Sequence, residues 1–129
     1  MSMNNSWKVK IWKNKSYVDL WSVNHFLAGV LLFGLSAFFD MGFWSGLIIS
    51  LILMIVWEIY ELLNNVIETK WNRFFDILLG TLGFLIFFFL NGSYLSRTGF
   101  FTVFICALVI WLTLQLWGYH AYKVIKKGI

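Results

Sequence analysis

The sequence predicts an all-α fold, a bundle of four transmembrane helices with short loops, on the strength of three observations. The chain has 129 residues, of which 60% are hydrophobic and 12% are charged, whereas soluble domains are about 25% charged. Four apolar runs approach the length of ~20 residues that a helix needs to cross the hydrocarbon core. Their solid apolar character differs from the alternating segments of a transmembrane β-barrel. We therefore expect one membrane domain over residues 1–129.

The predicted helices follow one another closely along the chain. We expect a basic interfacial segment at residues 1–16 and a basic tail at residues 123–129. Between them, four helices are expected at about 17–39, 43–66, 74–90 and 99–122. The connections at residues 67–73 and 91–98 are short, and those at Asp40–Gly42 and Asn91–Ser93 have the composition of turns. Because short loops make consecutive helices antiparallel neighbours, we expect an up-down bundle.

The distribution of basic residues predicts the orientation of this bundle. Nine of the ten Lys and Arg residues fall on one side of it, and Arg97 alone falls on the other. The positive-inside rule then places both termini in the cytoplasm, with the chain in a plasma or inner membrane. Aromatic residues near that face predict an interfacial belt: Trp7, Trp12, Tyr17, Trp21, Trp71, Trp117, Tyr119 and Tyr122. The expected partner is the lipid bilayer, and nothing beyond net charge favours nucleic acid.

Ionisable residues lie inside the apolar runs, where an ionised group costs about 2.5–3.5 kcal/mol at the centre of the bilayer. They are Asp19, His25, Glu58, Glu61 and Asp76. In an up-down bundle all five lie toward the cytoplasmic leaflet. We therefore expect a polar, acidic pocket there, formed by His25, Glu58, Glu61 and Asp76 together with Arg73.

Glycines share helix faces with two of these groups. Asp76, Gly80 and Gly83 are spaced by four and three residues, and so lie on one face of the third helix. Gly29 stands four residues after His25 on the first helix. Since small residues let transmembrane helices approach closely, these faces are expected to be sites of helix packing.

The glutamates allow two interpretations. Glu58 and Glu61 are three residues apart and share a face. As a close pair they would bind a cation or share a proton; alternatively, Arg73, Lys70 or His25 neutralises them and the group only holds helices together. His25 itself could be a ligand, a proton relay or a packing residue.

The outer acidic residues have interpretations of their own. Asp76 could pair with Arg73, one turn earlier, at the headgroup boundary. Asp19 could cap the first helix, because a carboxylate is favourable at the positive end of the helix dipole.

Metal binding and catalysis have less support from the sequence. One imidazole and several carboxylates suit iron, manganese or zinc, but the Glu-x-x-His motif of di-metal bundles is absent. We therefore assign no metal and keep His25, Glu58 and Glu61 as its candidates; the cofactor stays unknown. Acid–base catalysis by the two glutamates is open, but no motif identifies a substrate or a catalytic residue.

An ordered set of motifs resembles VanZ-like small polytopic membrane proteins over residues 19–84. The motifs run from Asp19 to Phe26 with His25, from Trp57 to Glu61, and from Asn72 through Arg73 and Asp76 to Gly80 and Gly83. The resemblance implies a membrane fold of four or five helices. It also implies His25, Glu58 or Glu61, Arg73 and Asp76 as the matched positions, and leaves the biochemical activity unknown.

Two functions are compatible with these features. The first is a small integral membrane protein whose pocket binds a lipid headgroup, a cation or a proton. The second is an accessory, non-catalytic subunit of a larger membrane complex such as an oxidoreductase or transporter. For the second, candidate partner surfaces are Phe87–Phe89 and the group Phe100, Phe101 and Phe104.

Overall fold

The computed structural model describes residues 20–64 and 70–127. They form four α-helices: α1 Leu20–Phe38, α2 Phe43–Leu63, α3 Lys70–Ser93 and α4 Arg97–Lys127. No β-strand occurs in the described part of the chain. Each helix is long and apolar enough to cross a membrane, with a mean hydropathy of 1.4, 2.1, 2.0 and 2.2 in chain order. The all-α prediction with four such helices is confirmed, and these helices indicate a membrane protein. The predicted interfacial segment 1–16 and Asp19 lie outside the described residues.

Two helices are longer than their apolar runs. α3 begins at Lys70 and ends at Ser93, so the predicted connections at 67–73 and 91–98 are partly wrong, and α4 continues through most of the predicted basic tail. Hydropathy identifies only the apolar part of a helix, whereas polar residues at its ends can continue the same backbone hydrogen bonding. Asn91–Ser93, predicted as a turn, is the last part of α3; the chain leaves the helix where Tyr94 and Leu95 both donate to the Leu90 carbonyl at 2.8 and 2.9 Å.

The predicted turn after α1 is present and closes the helix with two backbone hydrogen bonds. The Met41 N–H donates to the Ser36 carbonyl at 2.9 Å, and the Asp40 N–H donates to the Ala37 carbonyl at 3.1 Å. These are the two bonds of a Schellman motif, whose penultimate residue adopts the left-handed conformation. Asp40 occupies that position with φ 51°.

This turn yields a stability prediction. Asp40→Gly should raise the free energy of unfolding by about 0.5–1 kcal/mol, because glycine adopts positive φ without the steric cost of a Cβ. Asp40→Ala should lower it, since alanine lacks the local hydrogen bonds that let aspartate tolerate this conformation. Unfolding of both variants in detergent, followed by circular dichroism, tests the sign. Equal effects of glycine and alanine would contradict the backbone explanation.

Helix α1 is the centre of the bundle, and its most extensive contact is with α3. Glycines bring the two backbones together: a Cβ on Gly29 would overlap the Gly80 carbonyl oxygen, and a Cβ on Gly83 would overlap the Phe26 carbonyl oxygen. The predicted packing role of the glycine faces is therefore seen directly. It places the polar residues of α1 against those of α3.

The apolar end of the core is aromatic. Phe33 meets Phe84 and Phe87 edge to face at 5.3 and 5.2 Å between centroids. Phe87 also stacks on Phe100 at 5.1 Å, and Phe104 fills the space beside Gly34. Phe87, Phe100 and Phe104 thus pack inside this chain, so the proposed partner surfaces reduce to residues such as Phe89 and Phe101, which are exposed.

Candidate functional site

Three helices contribute buried polar side chains to one cluster. α1 supplies Ser22 and His25 from adjacent turns, α2 supplies Glu58 and Glu61, and α3 supplies Asp76. All five are buried, and Ser22 and Asp76 are 0% exposed. The two glutamates therefore lie on one face of α2, as predicted, and that face is buried. We refer to His25, Glu58, Glu61 and Asp76 as the histidine–carboxylate cluster.

The imidazole lies between carboxylates of two different helices. His25 Nε2 is 3.6 Å from Glu58 Oε1 and 3.4 Å from Asp76 Oδ2. This position follows from the close approach of α1 and α3 at Gly29 and Gly80, which lie one turn beyond His25 and Asp76 on their helices. A protonated imidazole here would have two anionic neighbours, and a neutral imidazole would offer a ligand nitrogen beside two ligand oxygens.

Two hydrogen bonds orient the carboxylates. The Ser22 hydroxyl donates to Asp76 Oδ1 at 3.0 Å, which leaves Oδ2 as the oxygen that faces His25. The Trp21 indole donates to Glu61 Oε1 at 3.3 Å. Trp21 is 5% exposed, so its assignment to the interfacial belt is wrong. Its ring is drawn inward because the indole N–H finds an acceptor there, whereas Trp71, Trp117 and Tyr119 are exposed.

The cluster has the spacing of a candidate cation site. One ligand atom from each of His25, Glu58 and Glu61 lies within 4.8 Å of the other two, and all three residues are buried. Atoms that bind one tetrahedral Zn²⁺ at 2.0–2.2 Å are about 3.4 Å apart. The separations from His25 to Glu58 and to Asp76 are close to that figure, and the three described residues whose ligand atoms lie mutually close enough for one ion are His25, Glu58 and Glu61.

The remaining sequence candidates differ in burial. Arg73 is one turn before Asp76 on α3 and is half-buried as a whole, with a buried Nε atom. His120, the other histidine of the sequence, is exposed on α4. Asp19 lies outside the described residues. His25 lies within ion-pair distance of Glu58 and Asp76, and the proposed role of Arg73 as a cation of the cluster stays a prediction.

Sequence reasoning did not single out four buried polar residues. Ser36 and Ser50 are 7% and 2% exposed, and the larger side chains Asn24 and Asn72 are 2% and 6% exposed. A signal for Asn72 was available, because it is four residues before Asp76 and so shares its face. Asn24 had no such signal, since it is adjacent in sequence to His25 and points about 100° away from it on a helix.

Comparisons with protein-family models, curated proteins and solved structures found nothing that matches this chain. The resemblance to VanZ-like proteins therefore rests on its motif residues alone and stays a prediction.

Proposed function

We propose that this chain is a small integral membrane protein that binds a cation or a proton through the histidine–carboxylate cluster. One observation carries the proposal: His25 lies 3.6 and 3.4 Å from carboxylate oxygens of two other helices, in a buried position. Ionisable groups inside transmembrane segments are functional by default, because a purely structural contact can be made at lower cost with apolar residues. The proposal includes the resemblance to VanZ-like membrane proteins at these positions.

The chemistry of the cluster favours a positively charged ligand. Three carboxylates and one imidazole repel phosphate, so an anionic lipid headgroup is the least compatible of the ligands considered. A proton shared between carboxylates, a divalent cation, or the amine of a lipid headgroup would each lower the repulsion between the acidic groups. For a metal, one nitrogen and several oxygens suit Mn²⁺, Fe²⁺ or Zn²⁺.

Orientation completes the proposal. The helices would alternate in direction across a cell membrane, with both termini in the cytoplasm, because basic residues concentrate on one side. The histidine–carboxylate cluster would then lie toward the cytoplasmic leaflet. A bound ion or proton would exchange with the cytoplasm.

The metal form of the proposal predicts stoichiometric binding. Purified protein in lipid nanodiscs, titrated with Zn²⁺ or Mn²⁺, should retain one ion per chain by elemental analysis. Glu58→Gln with Glu61→Gln should weaken binding at least tenfold, because each change replaces an anionic ligand by a neutral amide. Asp40→Asn, which alters an exposed carboxylate, is the matched control and should bind as the wild type does.

The proton form is tested in the same protein by histidine NMR. A His120→Gln background leaves His25 as the one remaining histidine of the two in the sequence. Glu58→Gln or Asp76→Asn should change the pH at which its ring titrates. Absence of stoichiometric metal, together with an unchanged titration in both variants, would overturn the proposal.

A second candidate function, the accessory subunit, is favoured by α4. Only 6% of the residues in its candidate membrane span are fully buried within the chain, and exposed apolar side chains such as Ile105, Val109 and Leu116 are available to another subunit. Cys106 is exposed on this helix and is the one cysteine of the sequence. A photo-crosslinker attached there in native membranes would capture a partner subunit, whereas labelling of lipid alone would count against this candidate.

A further inference from the structure

A cleft lies on the side of α1 that faces away from α3. Its floor is α1, its walls are α2 and α4, and its volume is about 510 Å³. The cleft exists because α1 contacts both walls, whereas α2 and α4 scarcely contact each other. Its apolar lining includes Leu31 from the floor and Leu53 and Leu108 from the two walls. The volume falls in the range of ligand sites, about 300–1,000 Å³.

Two unsatisfied polar atoms belong to residues that line this cleft. Asn24 is 2% exposed, and its Oδ1 accepts no hydrogen bond from any described residue. The Trp111 indole Nε1 is also buried and donates to no described acceptor. A buried polar group without a partner is costly, and native structures rarely leave one. In a bilayer, water cannot easily complete these bonds.

These atoms define what would complete the site. Oδ1 requires a donor and Nε1–H requires an acceptor, and a hydroxyl group supplies both. The rest of the lining is mostly apolar and suits a hydrocarbon chain. The acidic groups near the cleft restrict the charge of the ligand headgroup. His25 lines the cleft, and its Nε2 lies 3.6 and 3.4 Å from carboxylate oxygens of Glu58 and Asp76. Those carboxylates disfavour an anionic head.

We propose that the cleft between α2 and α4 binds a neutral single-chain lipid through its hydroxyl headgroup, with Asn24 as acceptor and Trp111 as donor. The chain of the lipid would lie along Leu31, Leu53 and Leu108. The proposal is independent of cation binding, because the two residues that recognise the headgroup are outside the histidine–carboxylate cluster.

Monooleoylglycerol that carries a diazirine in its acyl chain is a suitable probe. Photolabelling of the full-length protein in nanodiscs, followed by peptide mass spectrometry, should place the label on α1, α2 and α4 residues of the cleft, and excess unlabelled monooleoylglycerol should displace it. Asn24→Leu removes the amide, including the Oδ1 acceptor, and Trp111→Phe removes the indole N–H; both keep much of the side-chain volume, and each should weaken displacement about tenfold. Leu108→Trp fills the cleft and should abolish specific labelling.

The control is Ile105→Trp, which adds the same ring to an exposed position of α4 and should leave labelling unchanged. Displacement by lysophosphatidic acid as effective as by monooleoylglycerol would overturn the assignment of a neutral headgroup. Labelling spread evenly over the lipid-facing helices, or unaltered by Leu108→Trp, would overturn the site itself. Circular dichroism of each variant confirms that a loss of labelling does not reflect a loss of fold.

Discussion

Gly83→Ala is expected to lower the free energy of unfolding by about 2–3 kcal/mol, near the upper end for an added methyl group in a packed interior. The added Cβ would overlap the Phe26 carbonyl oxygen and lie 3.0 Å from the Phe26 carbonyl carbon and 3.2 Å from the Val30 nitrogen. All three atoms are backbone, so no side-chain rotation can make room. α1 and α3 must separate, and the separation also removes their remaining contacts.

Gly92→Ala provides a matched control on the same helix. Nothing lies within 4 Å of a Cβ at Gly92, and alanine has a higher helix propensity than glycine. This variant should therefore be neutral or slightly stabilised. Unfolding in mixed micelles with increasing SDS measures both variants. Similar stability changes at Gly83 and Gly92 would show that the close contact of α1 and α3 is not the cause.

Asp76→Ala is expected to destabilise the protein by about 3–5 kcal/mol, the usual cost of removing one member of a buried ion pair. The change takes the acceptor from the Ser22 hydroxyl, at 3.0 Å, and one of the two nearby carboxylates from His25, at 3.4 Å. Asp76→Asn preserves the shape and an acceptor oxygen, so it should cost less. The exposed Asp40→Asn should change stability by no more than about 0.5 kcal/mol.

A double-mutant cycle with His25→Ala separates pairing from packing. If the two side chains stabilise each other, the double variant should be more stable than the sum of the single changes predicts, by about 0.5–3 kcal/mol. The expected sign follows because the second substitution removes the polar group that the first left uncompensated. Additive effects, measured by the same SDS unfolding, would mean that His25 and Asp76 are buried side by side without coupling.

The helices and the cluster follow from different kinds of sequence information. Length and hydropathy suffice for four helices, because crossing a bilayer imposes both. The i, i+4 spacings of His25 with Gly29 and of Asp76 with Gly80 predicted faces of close helix packing. They did not predict that α1 and α3 would be the pair that meets there, because short loops favour consecutive helices as neighbours. The ends of α3 were not predictable from hydropathy, since Lys70 and Ser93 are helical without being apolar.

Other features depend on tertiary structure that no local pattern encodes. Trp21 looks like an interfacial residue until Glu61 of another helix is placed 3.3 Å from its indole nitrogen. The cleft is a further example, because it arises from the distance between α2 and α4 rather than from any segment. No sequence pattern singles out Asn24 and Trp111. They become informative only because both line the cleft and each has a buried polar atom, Oδ1 of Asn24 and Nε1 of Trp111.

The central position of α1 also bears on how the protein is made. The span Trp21–Phe38 of α1 has a mean hydropathy of 1.4, the lowest of the four candidate membrane spans, and α1 precedes the helices that cover Ser22, Asn24 and His25. During synthesis it must leave the ribosome before α3 exists, so its polar face has no permanent neighbour at that stage. Ser22 and His25 acquire their partner Asp76 only after α3 has been translated, so the polar face of α1 is completed late in synthesis.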